Sequence, residues 1–220
     1  MEWAKFVIRN RDDRNYVEAY SIFIREAKAG NAEAQYCVGL MHARGQGLEK
    51  DHAVALGWFE QAHSNGYRGA SYFLGKMHLL GMGTEKDPAK ARMYFEEVAG
   101  EDARASYELG LLHFSGRDAP RNLEESARWM TASAEAGNAE AQFVLGQFYK
   151  AGAGVEKNPE LAVKWLSAAA LNRHKGAQIL LGNMYRTGDC VKVDVEESDR
   201  WYDMADGKSN VSARPSPKKI

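Results

Sequence analysis

Three histidines, His42, His78 and His113, recur at intervals of 36 and 35 residues, and imidazole is the side chain most used to ligate metals or move protons near neutral pH. Zinc chemistry would need nitrogens converging within about 2.1 Å of one ion. Equivalent positions on stacked copies of one unit lie on the order of 10 Å apart, the spacing of packed helices. The series is therefore not expected to share a metal, and each ring reads as a packed aromatic with a polar tip. His52, His63 and His174 show no acid or cysteine converging on them in the sequence.

Glycine pairs at Gly45 to Gly47, Gly81 to Gly83 and Gly152 to Gly154 look like phosphate cradles, but neither a strand before nor a lysine after them completes a phosphate loop. Their expected role is to supply left-handed backbone where a helix ends. No G-x-S-x-G elbow and no H-E-x-x-H motif occurs, so no enzymatic machinery, metal or cofactor is expected. The cysteines, Cys37 and Cys190, sit in the first and last complete repeats, too far apart for the roughly 5.5 Å Cα separation of a disulfide.

The elements that would position any site are repeats. Asp51, Asp87, Asn122, Asn158 and Asp194 recur every 35 or 36 residues, each followed seven residues later by an aromatic: Trp58, Tyr94, Trp129, Trp165 and Trp201. A period of this length means one supersecondary unit copied and stacked. In each unit a small residue (Ala34, Ala70, Ala105, Ala141, Ala177) precedes a glycine by five (Gly39, Gly75, Gly110, Gly146, Gly182). A ring at His42, His78, His113, Tyr149 or Tyr185 follows, then a loop opening at Gly45, Gly81, Gly116, Gly152 or Gly188. This pattern predicts helix A, stopped by glycine. Glycine inside a helix costs about 1 kcal/mol against alanine, so its recurrence predicts a close helix approach.

Helix B opens at the Asp/Asn series as N-cap, with Pro88 and Pro159 at the first helical position. Asn122 with Glu125 and Asp194 with Glu197 match capping boxes. The aromatic, flanked by small residues at Ala55 and Ala62 and their equivalents, is expected to pack between units. Running the register backwards puts Asn15 at a cap, Ala19 and Ile22 in a core, Gly30 at a helix end and Phe6 at the helix-A ring, with Arg9 and Arg11 in place of loop glycines. The second loop glycine is lost at Asp118 and Cys190, and one residue is missing around Gly100 to Asp102.

The chain has 220 residues, 45% hydrophobic content and a net charge of -1. That describes a globular chain with no positive excess for a polyanion, so nucleic acid is not an expected partner. No run approaches the roughly 20 apolar residues that span a bilayer, and MEWAKFVIRNRDDRN lacks an apolar h-region and cleavage site. Membrane insertion is not expected, and the expected location is cytoplasmic. The units run at about 1–34 (partial), 35–69, 70–104, 105–140, 141–176 and 177–206. They make one expected domain over 1–206, followed by a polar tail, 207–220, expected to be disordered.

The string AEAQFVLGQFYKAGAGVEKNPELAVKWLSAAA, residues 139 to 170, resembles a Sel1-like repeat, a relative of the tetratricopeptide repeat with the pattern A-x-x-x-L-G-x-x-Y-x-x-G-x-G-V and then A-x-x-W-x-x-A-A. The likeness runs over residues 15 to 205, with histidine for the family's tyrosine in the first three units. It implies an all-α fold, an α/α superhelical solenoid of about five helix-pair repeats plus a degraded N-terminal unit. It also implies a non-enzymatic bacterial adaptor that binds a protein or peptide in its concave groove. An immunity or chaperone-like partner of a secreted effector is the alternative. A β-lactam-binding or hydrolase activity belongs to cysteine-rich relatives, whose paired cysteines this chain lacks.

In that architecture helix A lines the concave face, where helical spacing groups Tyr36, Leu40 and Ala43; Tyr72, Lys76 and Leu79; Tyr107, Leu111 and Phe114; Phe143, Gln147 and Lys150; Ile179, Asn183 and Arg186. The Tyr/Phe series either lines the groove or packs helix A on helix A. Leu40, Leu79, Leu111 and Phe114 are expected to be exposed anchors. Lys150 and Arg186 are expected to make the far end basic, suited to an apolar peptide with an acidic continuation.

Overall fold

The computed structural model describes residues 1, 2, 4, 5, 15–116 and 120–208. Phe6, Arg9, Arg11, Asp118 and the tail from 209 onward lie outside the described residues, and with them the expectations placed there. Among the described residues from 15 onward eleven helices follow in order: α1 (Tyr16–Lys28), α2 (Ala32–Arg44), α3 (His52–Ser64), α4 (Gly69–Leu80), α5 (Pro88–Val98), α6 (Ala103–Ser115), α7 (Leu123–Glu135), α8 (Ala139–Ala151), α9 (Pro159–Leu171), α10 (Lys175–Thr187) and α11 (Val195–Ala205). No strand occurs among the described residues. The helices form two compact units, Met1–Val98 and Ala99–Ile220. Within each, every helix packs on its neighbours in the chain. The division falls at the turn where the repeat is one residue short.

Helix B starts where its caps stand. Asp51, Asp87, Asn122, Asn158 and Asp194 accept from the amides of Val54, Lys90, Glu125, Leu161 and Glu197 at 2.9 to 3.0 Å. The expected capping boxes are only half formed. The cap's own amide donates instead to the carbonyl of the helix-A ring residue, from Asn122 to His113 and from Asp194 to Tyr185, and all five repeats share this bond. It ties the end of helix A to the start of helix B, leaving Glu125 to pair with Arg128 and Glu197 with Arg200. At α1, Asn15 makes no side-chain cap bond.

The helix-A glycines are contact points, as their register predicts. A Cβ at Gly39 would lie 2.8 Å from the Phe59 ring, and one at Gly75 would lie 2.5 Å from the Phe95 ring. Gly110, Gly146 and Gly182 meet Met130, Leu166 and Tyr202 at 2.7 to 2.9 Å. The residue that fills each approach is therefore the one after the predicted aromatic. Phe59, Phe95, Met130 and Leu166 are fully buried, whereas Trp58, Tyr94, Trp129 and Trp165 are only half-buried. Helix B turns this next residue toward the glycine, and the aromatic itself packs between units as expected, with Trp58, Tyr94 and Trp165 against the cores of the preceding helices. In α1 the same register makes Phe23 the fully buried side chain and leaves Ile22 half-buried. The last repeat differs, with Trp201 fully buried and Tyr202 against the glycine.

A buried glutamine in helix A, invisible to the repeat pattern as read, clamps successive pairs. Gln35, Gln142 and Gln178 donate to the carbonyls of Ala27, Ala134 and Ala170 in the preceding helix B. Gln35 and Gln142 also accept from Asn65 and Asn172. At this register α4 and α6 carry Ser71 and Ser106, and Ser106 reaches only to the carbonyl of Ala99.

Candidate functional site

In unit 1 the helix-A face is largely closed. Tyr36 meets Tyr67 in a tilted pair at 4.7 Å between ring centroids and Phe73 at 5.6 Å, while Phe59 and Phe73 stack at 5.2 Å. Tyr72 joins the cluster through Phe73 at 5.2 Å. Leu40 and Leu79, expected to be exposed, are 7% and 8% exposed and belong to the core. Tyr36, Tyr72 and Lys76 are half-buried. At Leu40 the correction has a physical reason: Tyr67, from the turn before α4, and Phe73, from α4 itself, pack on the same core cluster.

Unit 2 repeats the cover in one place, where Phe143 stacks on His174 at 4.3 Å. His174 occupies the register of Tyr67, so the ring series packs helix A against the start of the next helix A. Tyr107 and Leu111 are half-buried in the same manner, and burial pushes the Tyr107 phenol above its usual range. Phe114, however, is 40% exposed. Its ring stacks on Phe148 at 5.8 Å, and the guanidinium carbon of Arg121 lies 4.8 Å from its centroid. Gln147 on α8 and Ile179, Asn183 and Arg186 on α10 are also exposed.

The expected basic end is neutralised. Lys150 pairs with Asp189 at 2.7 Å, a bond that raises the lysine and holds the Asp189 carboxyl below the usual carboxylate range. Arg186 pairs with Asp199 at 2.5 Å and lies over the Tyr202 ring at 5.4 Å. Asn183 accepts from the Tyr202 hydroxyl at 2.7 Å. Sequence spacing along one helix could not show these partners, which arrive from the next loop and the next helix B.

Two of the three repeated histidines pack against tyrosine rings. His42 bonds the Tyr20 hydroxyl at 3.2 Å, and burial lowers its pKa. His78 is 3% exposed, neither ring nitrogen finds a partner, and it stacks on Tyr94 at 5.7 Å; burial, and then Lys90, lowers its pKa. Two others do meet acids, contrary to expectation: His63 contacts Glu97 at 2.8 Å and His174 contacts Glu140 at 3.1 Å. His174 also caps α10, its Nδ1 accepting from the Ala177 amide. Among the described residues no group of three His, Cys, Asp or Glu side chains could hold a metal. Cys37 and Cys190 are free thiols, with Cys37 buried and pushed up to about 12. Cys190 takes a left-handed φ of 64° at the register where three other loops have Gly47, Gly83 and Gly154. Among the described residues no helix is long and apolar enough to cross a membrane.

Comparison with known proteins places this geometry. A family model described as Sel1 repeat matches residues 32–67, 69–99, 103–138, 139–174 and 176–205. The structure of c5321, a protective antigen of uropathogenic Escherichia coli strains with an SLR fold, is similar at 29% identity and a TM-score of 0.81. The match covers 86% of this chain but only 40% of that one. A Sel1 repeat protein from Oxalobacter formigenes is similar at 26% identity, covering 95% of this chain and 86% of that one, with a TM-score of 0.80. The immunity protein Pa5087 from Pseudomonas aeruginosa, at 17% identity and a TM-score of 0.59, covers 100% and 85%. No curated protein matches the chain.

Proposed function

This chain belongs to the Sel1 repeat family, whose members mediate protein–protein interactions, and from that premise we propose that it is a non-enzymatic scaffold binding a protein or peptide segment on its helix-A face. The observation that carries this reading is the exposed Phe114 ring, with Gln147, Asn183 and Arg186 open on the following A helices of unit 2. A helix-pair scaffold is already ordered, so little conformational entropy is lost on binding, and a few aromatic anchors supply most of the affinity. The exposed amides of Gln147 and Asn183 offer hydrogen bonds to an extended chain, and Leu111 and Lys150 border them half-buried. In unit 1, Tyr36, Tyr72 and Lys76 keep only partial surface for contact, and Leu40 and Leu79 support that surface from below.

The test is affinity capture by the tagged protein from its native host, run beside Phe114→Ala and Gln147→Ala. A partner retained by the wild type and lost with the variants, at unchanged unfolding midpoints, supports the reading. An identical retained set in all three overturns it. The narrower reading as an immunity or chaperone-like protein draws on the name of Pa5087. Capture of a secreted toxin would select it.

A further inference from the structure

We propose that unit 2 docks a peptide in which an apolar side chain is followed by a carboxylate, the apolar group seated on Phe114 and the carboxylate held by Arg121. This rests on the scaffold reading above and names the chemistry of the partner. Phe114 ends α6 with its ring 40% exposed, braced from behind by the buried Phe148. Arg121 is exposed just before the Asn122 cap of α7, its guanidinium carbon 4.8 Å from the centre of that ring. The ring face attracts the cation and fixes its place without accepting any of its five N–H groups.

Arg121 differs in pairing from three other cations of this unit. Lys150 is paired to Asp189, Arg186 to Asp199 and Arg128 to Glu125. Arg121 forms no ion pair or hydrogen bond with any described residue, and its one contact is the Phe114 ring. An uncommitted guanidinium beside an exposed ring presents a planar, bidentate donor for a carboxylate next to an apolar seat. The acidic continuation that sequence spacing assigns to the Lys150 and Arg186 end belongs instead at Arg121, because those two cations already have carboxylates of their own.

The probes are two amidated peptide pools of fixed length, one carrying Leu-Glu or Phe-Glu at its centre and the other carrying Gln in place of each Glu. Binding to the full-length chain is read by fluorescence polarisation. The Glu pool is expected to bind about tenfold more tightly than the Gln pool, and to weaken as salt is raised. Arg121→Gln should abolish the difference between pools. Phe114→Ala should weaken both, and Arg128→Gln should leave the preference intact. Equal binding of the two pools, an unchanged preference in Arg121→Gln, or no binding of either pool overturns the proposal. So does self-association dispersed by Arg121→Gln, which would make the occupant a second copy. None of these results bears on the host-capture experiment, so the scaffold reading stands or falls separately.

Discussion

Leu79 and Phe114 occupy the same register of helix A, four residues after the recurring glycine, one in unit 1 and one in unit 2. Leu79 is buried and Phe114 is exposed. The contrast teaches that a repeat's consensus face is not uniformly a surface. In unit 1 this position is closed to solvent; in unit 2 the corresponding ring is open beside a cation.

The strongest way to break the contrast is to truncate both residues. Leu79→Ala is expected to destabilise by about 2–5 kcal/mol, the range for emptying a core site, whereas Phe114→Ala should stay within about 0.5 kcal/mol. Denaturant unfolding measures both, and similar losses would show that Phe114 is core as well. A smaller effect sharpens the comparison at the glycines. Gly75→Ala drives a methyl into the rigid, fully buried Phe95 ring and should cost about 1–3 kcal/mol. Gly110→Ala meets the flexible end of Met130, so the gain in helix propensity, about 0.5–1 kcal/mol, should leave it near neutral.

The smallest expected effect is in pH dependence. His78 is buried without a partner for either nitrogen, so burial favours the neutral ring and sets its folded pKa below the unfolded value. The stability it contributes is fully present above the unfolded pKa, near 6.5, and is lost as pH falls from there through the lowered folded value. His78→Phe should therefore flatten the acid side of the stability profile, leaving a residual slope from His42, which burial also lowers. Unit 2 has Tyr149 and Tyr185 at that register in its last two repeats, and replacing either by Phe should leave the acid slope unchanged.

Residue pattern was enough for the helix pairs, the B-helix caps and the close approach at Gly39, Gly75, Gly110, Gly146 and Gly182, because each depends on contacts repeated at fixed spacing along the chain. It did not single out the residues that meet the glycines, Phe59, Phe95, Met130 and Leu166, or the Gln35, Gln142 and Gln178 clamps, since both depend on how one helix is rotated against the next. The acid partners of His63, His174, Lys150 and Arg186 were illegible for the same reason. Each comes from a different helix or loop, 13 to 39 residues away.

By itself, then, the sequence determined the repeat, its helix boundaries and its family, because local hydrogen bonding and period are properties of the chain. Only the tertiary structure decided which positions of the shared face are open, at Phe114 and not at Leu79, and which cation is uncommitted, at Arg121 and not at Lys150 or Arg186. Exposure and charge pairing are set by neighbours that packing, not spacing, brings together.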